Sequence, residues 1–182
     1  MDKKLLLQIA HDAIEGNFTR RDINRTQLLQ ENPELKKEGA VFVTLRQQGH
    51  LRGCIGSLVA HRSLLDDVVH NAKAAAFSDP RFQPLSSTEL NTTDIEVSLL
   101  SSPEELEYKD REELKKKIRP NIDGVILQLG NHRATFLPQV WEEIPEFDLF
   151  FGHLCQKAGV RAEGCLERHP TIFTYQVEKI ES

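Results

Sequence analysis

Apolar residues recur at helical spacing near the start of the chain and then give way to strand-like alternation. Leu5, Leu6, Ile9, Ala10 and Ala13 share one helical face, and Gly16 is a natural stop. Residues 17–39 are polar and irregular, with Pro33 suited to open one short helical turn. Residues 40–45 read as a strand, Gln48-Gly49 as a turn, and Leu51-Arg52-Gly53-Cys54-Ile55-Gly56-Ser57-Leu58 as the returning strand. Ser63, with Asp66 three residues on, begins a helix carrying Leu64, Leu65, Val68, Val69, Ala72 and Ala76. That helix ends before Asp79-Pro80-Arg81-Phe82, because proline drives the preceding residue out of helical geometry.

Further along, Ile95, Val97 and Leu99 alternate with Glu96 and Ser98, which predicts a half-buried strand over 94–100. Asp110 and Glu113 open a charged helix running to about 118, and residues 124–129 and 133–137 form a second hairpin around Gly130-Asn131. A helix over 147–158 stops at Gly159, with Lys157 in its last turn, and a strand over 171–177 closes the chain. Tight turns join strands only in antiparallel fashion, so the fold class is α+β, with mainly antiparallel sheets and packed helices in a single domain over 1–182.

The first hairpin has two possible registers. A two-residue turn pairs Val43 with Cys54 and Leu45 with Arg52, giving the cysteine an apolar face. A three-residue loop shifts the register by one and sets Cys54 beside Phe42, Thr44 and Arg52. In a regular strand Arg52 and Cys54 point the same way, and a guanidinium beside a thiol favours the thiolate. The plainer reading of Cys54 is a small buried hydrophobe.

A net charge of −5 argues against nucleic acid, which calls for a clustered basic face; Arg20-Arg21 and Lys115-Lys116-Lys117 are short and read as solvated faces. No stretch is long enough to span a membrane, and the opening Met1-Asp2-Lys3-Lys4 leads into an amphipathic helix and not a signal peptide. Three widely separated cysteines make no disulfide framework, which implies a reducing, cytoplasmic setting.

Cys54 is the candidate nucleophile or redox thiol. Seven histidines are present, and none has a spacing that nominates it as a base. Asp79 and Arg81 flank a rigid proline and could orient a polar ligand; the plainer reading is an aspartate capping its own turn and an arginine paired with a surface carboxylate. Gly53 and Gly56 offer backbone amides to an anion. His153, Cys155, Cys165 and His169 fit no zinc pattern, since His153 and Cys155 lie about 200° apart on a helix. No metal site is expected. The chain has no P-loop or dinucleotide fingerprint, and no cysteine cluster for an iron–sulfur centre, and no cofactor is expected.

Leu51-Arg52-Gly53-Cys54-Ile55-Gly56 resembles the signature of the AMMECR-one domain family, also called AmmeMemoRadiSam system protein A. Three further blocks fit in order: residues 75–85 around Ser78-Asp79-Pro80-Arg81-Phe82, residues 95–101, and Leu137-Pro138-Gln139-Val140 with a later Lys157-Ala158-Gly159. Where this family often has a tryptophan, the chain reads Gly164-Cys165-Leu166. The resemblance implies two unequal lobes around a cleft, and partnership with a Memo-like protein and a radical S-adenosylmethionine enzyme. Arg52, Gly53, Gly56, Asp79, Arg81, Gln139 and Lys157 become ligand-binding candidates, although Gln139 also suits a helix start and Lys157 a helix end. Two function classes follow: an accessory binding protein that presents the cysteine segment to a ligand or partner, or a small thiol-dependent enzyme using Cys54.

Overall fold

The apolar stripe near the start becomes α1 (Lys4–Thr19), on which Leu6, Ile9, Ala10, Ala13 and Ile14 are buried. A computed structural model describes residues 1–182 as two units, residues 1–100 with 178–182, and residues 101–177. Helix α1 does not stop at Gly16. It continues to Thr19 and closes on Arg20 in the left-handed region, φ 58°. A Cβ on Gly16 would lie 2.2 Å from the Arg21 carbonyl oxygen, so this glycine admits the returning chain and does not end the helix. The polar stretch that follows also holds a helix, α2 (Arg25–Glu31), capped by the Asn24 side chain accepting from Gln27 N–H. None of its residues is fully buried, so no apolar stripe marks it in the sequence.

The first unit is built on a four-stranded sheet in the order β2-β1-β3-β8, comprising β2 (His50–Gly56), β1 (Ala40–Gln47), β3 (Thr93–Leu100) and β8 (Val177–Glu181). Val41, Val43 and Leu45 of β1 and Ile95 and Val97 of β3 point to one face, where they meet α1 and α3 (Leu64–Phe77) in one core. Ser63 caps α3 as its spacing predicts, accepting from Asp66 N–H. At the start of β1, fully buried Asp67 accepts from Val41 N–H, Ser57 Oγ and Asn71 Nδ2, so a carboxylate inside this core has its lone pairs occupied.

Both predicted hairpin registers are partly realised. The turn is the two-residue Gln48-Gly49, with Gln47 opposite His50, yet a bulge between Leu45 and Arg46 shifts the ladder by one. Arg52 is the extra residue, and Cys54 therefore faces Thr44, not Val43. The two glycines make the shifted register packable. A Cβ on Gly53 would lie 2.1 Å from the Ala75 carbonyl oxygen of α3, and one on Gly56 would lie 2.2 Å from the Phe42 ring.

The second unit carries an antiparallel sheet in the order β4-β7-β5-β6: β4 (Glu104–Glu105), β7 (Thr171–Tyr175), β5 (Gly124–Leu129) and β6 (His132–Phe136). Its core gathers Leu114 from α5 (Arg111–Lys117), Trp141 from α6 (Val140–Glu143), and Phe147, Phe150, Phe151 and Leu154 from α7 (Phe147–Lys157). Trp141 stacks on Phe150 at 3.5 Å, and its Nε1–H donates to the Asp123 carbonyl at 3.0 Å.

Two expectations are corrected here. The closing strand is two strands in different sheets, β7 and β8, broken at Gln176, whose N–H donates to Ser101 Oγ while its carbonyl accepts from Ser101 N–H. No turn residue marks the break at Gln176, and the charged Glu178, Lys179 and Glu181 are weak strand formers, so the second strand carries no clear signal. Cys155 and Cys165 are bonded to each other with Cα atoms 6.7 Å apart, which leaves Cys54 as the free thiol. The loop after Gly159, itself at φ 85°, turns the chain back so that ten residues of separation bring the two sulfurs together. The cysteine pattern therefore no longer argues for a reducing compartment. No helix is long and apolar enough to cross a membrane.

Gly53→Ala is expected to cost about 3 kcal/mol, because the new methyl must displace a helix backbone carbonyl and not a pliable side chain. Urea unfolding checks this, and a loss below about 0.5 kcal/mol would show that β2 and α3 separate easily.

Candidate functional site

Strand β2 lies at the edge of its sheet, so every second residue of it turns its backbone N–H and C=O away from β1. Cys54 is such a residue. Its N–H donates to Asp79 Oδ2 at 3.0 Å, and its carbonyl accepts from Arg81 Nη2 at 3.4 Å. Arg81 also donates to Asp79 from Nε at 3.0 Å, from Nη2 at 2.8 Å and from its backbone N–H at 3.1 Å. A carboxylate and a guanidinium on a proline-stiffened turn thus supply the acceptor and donor that a neighbouring strand would have supplied. Asp79 is 4% exposed. The Arg81 guanidinium, with the N–H groups of Cys54 and Arg81, holds its carboxyl far below the usual carboxylate range, against the opposing effect of burial.

The Cys54 side chain leaves on the sheet face opposite α1 and α3, as the alternation of β1 requires. The Thr44 hydroxyl lies 3.3 Å from its sulfur. Across β1, Thr44 pairs with Glu96 of β3, and Phe42 pairs with Ser98. Lys179 of β8 brings its ammonium 4.0 Å from Glu96. One row across the sheet therefore reads thiol, hydroxyl, carboxylate, ammonium. Thr44 and Ser98 are buried, and Cys54 is half-buried.

Arg52 does not partner Cys54. From the bulge its Nε donates to Glu89 Oε2 at 2.8 Å and its Nη2 to the Gln83 carbonyl at 2.8 Å, and it holds the Glu89 carboxyl below its ordinary range. Its Nη1 is buried without a partner. The Phe82 ring is shared, with the Arg52 guanidinium carbon 5.9 Å and that of Arg81 5.4 Å from the ring centre. The guanidinium that reaches Cys54 is therefore Arg81, at the peptide carbonyl. The structure brings Cys54, Asp79 and Arg81 into direct contact and links Arg52 to them through Phe82. Gly53 and Gly56 belong to the same segment, each required by the close approach described above.

Gln139 and Lys157 lie in the second unit. Gln139 is exposed and precedes α6 without a side-chain cap; its carbonyl accepts from Glu142 N–H. Lys157 donates from Nζ to the Thr135 carbonyl at 2.9 Å and lies 5.1 Å from the centre of the Phe136 ring. Thr135 is on β6, the edge strand of its sheet, so Lys157 covers a sheet edge as Asp79 and Arg81 do.

No imidazole bonds to the Cys54 sulfur. His61 meets the Val59 carbonyl and Arg62, His132 the Ala158 carbonyl, and His169 the Tyr108 carbonyl. Two partners of the site escaped the sequence reading: Phe82 and Glu89. Glu89 was findable, because Ser86 and Glu89 have capping-box spacing and the box is formed at α4 (Ser87–Leu90). Thr44 was a neighbour of Cys54 in one of the two registers, and the bulge that selects it has no local signal.

Asp79→Asn is expected to destabilise the protein by about 2 kcal/mol near neutral pH, by weakening charge-assisted hydrogen bonds. The folded-state pKa is depressed, so the native carboxylate contributes fully above the unfolded value of about 3.9, and its contribution is lost as pH falls from there toward the folded value. Urea titrations should show the gap between wild type and variant constant above pH 5 and shrinking below pH 4. A gap independent of pH would assign Asp79 no ionic role.

A profile of the AMMECR1 family matches residues 7–180. A protein of Sulfolobus acidocaldarius is 40% identical over 93% of this chain and 76% of its own length, and one of Methanothermobacter thermautotrophicus is 34% identical over 96% and 91%. The crystal structure of an uncharacterized protein from Pyrococcus horikoshii superposes with a TM-score of 0.76 at 31% identity, covering 98% of this chain and 90% of that one. With the match running through both units and through the glycine-cysteine strand, this chain belongs to the AMMECR1 family.

Proposed function

We propose that this protein is a cytoplasmic binding component of a Memo-like and radical S-adenosylmethionine system, presenting the Cys54 face of its first sheet to a ligand or partner. The observation that supports binding over catalysis is the surroundings of the thiol. Its side-chain hydrogen-bond partner is the Thr44 hydroxyl, and the nearest bonded carboxylate, Asp79, is occupied by N–H groups and a guanidinium. A thiol-dependent hydrolase needs a base within hydrogen-bond reach of the sulfur, and a threonine hydroxyl does not titrate in the useful range. A rigid face with a half-buried thiol and a buried hydroxyl suits recognition, since a built-in edge cap holds it without cost at the moment of binding. The choice of partners rests on the family resemblance.

Sedimentation of the purified chain with the purified Memo-like protein, and separately with the radical S-adenosylmethionine enzyme of the same genome, tests the reading. A complex with at least one of them is expected, weakened about tenfold by Cys54→Ala while the melting temperature stays within a few degrees of wild type. No complex with either would sink the proposal. Thiol-dependent turnover of an ester or thioester, abolished by Cys54→Ser, would favour the enzyme reading.

A further inference from the structure

The Cys155–Cys165 disulfide takes no part in the site around Cys54, and its setting is specific. Cys155 sits in the last turn of α7 and Cys165 in the loop that follows, each 1% exposed. Gly159 and Val160 N–H bond back to the Gln156 and Cys155 carbonyls of α7, and His169 Nε2 meets the Tyr108 carbonyl, but between these ties residues 161–168 fold into a loop bonded within itself. Arg168 donates from its guanidinium to the carbonyls of Arg161, Glu163 and Gly164, Cys165 N–H to the Ala162 carbonyl, and His169 N–H to the Leu166 carbonyl. None of these bonds leads from residues 161–168 to another element. Ala162 rests on Gly152 of α7, where a Cβ would come no nearer than 3.8 Å, so that contact is loose. Val160 and Leu166 touch the core but are only half-buried. The covalent bond is the strong tie.

The bond also borders open space. A cavity of about 280 Å³ is lined by Cys155 and Cys165 together with Phe151, Gly152, Ala162 and Gly164. Its walls are the loop that the bond secures and the helix face beneath it.

We propose that the Cys155–Cys165 disulfide is a redox-operated latch: a dithiol reductant entering this cavity opens it in the folded protein and frees the 161–168 segment from α7. The exchange balances. A thiolate of the reductant attacks one sulfur, forming a mixed disulfide and releasing the other cysteine as a thiolate. The reductant's second thiol then displaces the first cysteine, so the reductant leaves as a cyclic disulfide, and Cys155 and Cys165 end as two thiols, having gained two electrons and two protons. The rest of the second unit keeps its aromatic core, so the opening is local. Lys157 lies two residues from Cys155, so the latch adjoins the residue covering the β6 edge.

The test uses the full chain, never denatured. N-ethylmaleimide is added before and after dithiothreitol, and labelling of Cys155 and Cys165 is read by peptide mass. Neither should be labelled before reduction, and both after it. Trypsin should then cut after Arg161 at least tenfold faster in the reduced protein, and Cys155→Ser/Cys165→Ser should be cut fast in either buffer. Should that variant fail to fold, the reduced wild type carries the test. Labelling of both before reduction, labelling only after denaturation, or cleavage at Arg161 unchanged by reduction would each overturn the proposal. The readout does not involve Cys54 or any partner, so it stands or falls apart from the proposed function.

Discussion

An open sheet edge is the constraint around which the first unit is arranged. β2 has β1 on one side only, and its outward peptides would otherwise be left to water or to another chain's strand. The turn after α3 answers this with side chains in place of a strand, the Asp79 carboxylate on the Cys54 N–H and the Arg81 guanidinium on its carbonyl. The arrangement fixes the end of α3, the path of the following loop and the orientation of the Cys54 peptide at once. It also ties up the charged groups that would otherwise be the natural candidates for acid–base chemistry at the thiol. The same solution recurs in the second unit, where Lys157 covers β6 through the Thr135 carbonyl. Residues that look like a binding set are, in both places, partners of edge backbone. This does not bar them from meeting a ligand, but it sets what any ligand must find already occupied.

The close packing beneath β2 follows from that edge. A strand held from its side by a turn belonging to α3 lies directly on α3, and only glycine at position 53 leaves room for the Ala75 carbonyl. Gly56 gives its place to the Phe42 ring, which fills the space a side chain would have used. The bulge at Arg52 lets the turn Gln48-Gly49 remain two residues long while Cys54 moves opposite Thr44. Remove the bulge and Cys54 would face Val43, with its sulfur turned toward the apolar core face. One inserted residue therefore decides whether the thiol is core or site.

Much of this architecture was legible in the sequence because it rests on local patterns. Alternation gave β1 and β3, capping residues gave α3 and α5, and tight turns gave two antiparallel hairpins, hence the α+β class. What escaped depends on partners distant in the chain. Helix α2 has a cap but no buried stripe, β8 is a short charged strand with no turn residue before it, and the Cys155–Cys165 bond is made by a loop whose path its own residues do not announce. At the site, position was legible, while the Thr44 partnership was legible only as one of two registers. Cys54, Asp79 and Arg81 stood out as residues, whereas the pairing of Arg52 with Glu89 in place of Cys54 depends on the bulge and on the start of α4.

The remaining question is what a thiol gains from this setting without a base beside it. A base would be needed to raise the thiolate fraction during turnover; recognition needs only that the sulfur be held in place and partly open. The Cys54 backbone is fixed on one side by the ladder to β1 and on the other by Asp79 and Arg81, so its Cα–Cβ direction is set by several hydrogen bonds independent of the thiol's protonation. The neighbouring Thr44 hydroxyl can donate to or accept from the sulfur, and so tolerates a thiol, a thiolate or a sulfur bound to something else. Beyond Thr44 the row continues to Glu96 and Lys179, a pair of opposite charges on the same face. A face that holds a polarizable sulfur, a hydroxyl and a balanced ion pair in fixed order is better matched to an extended polar surface than to the concave pocket of a small-substrate enzyme.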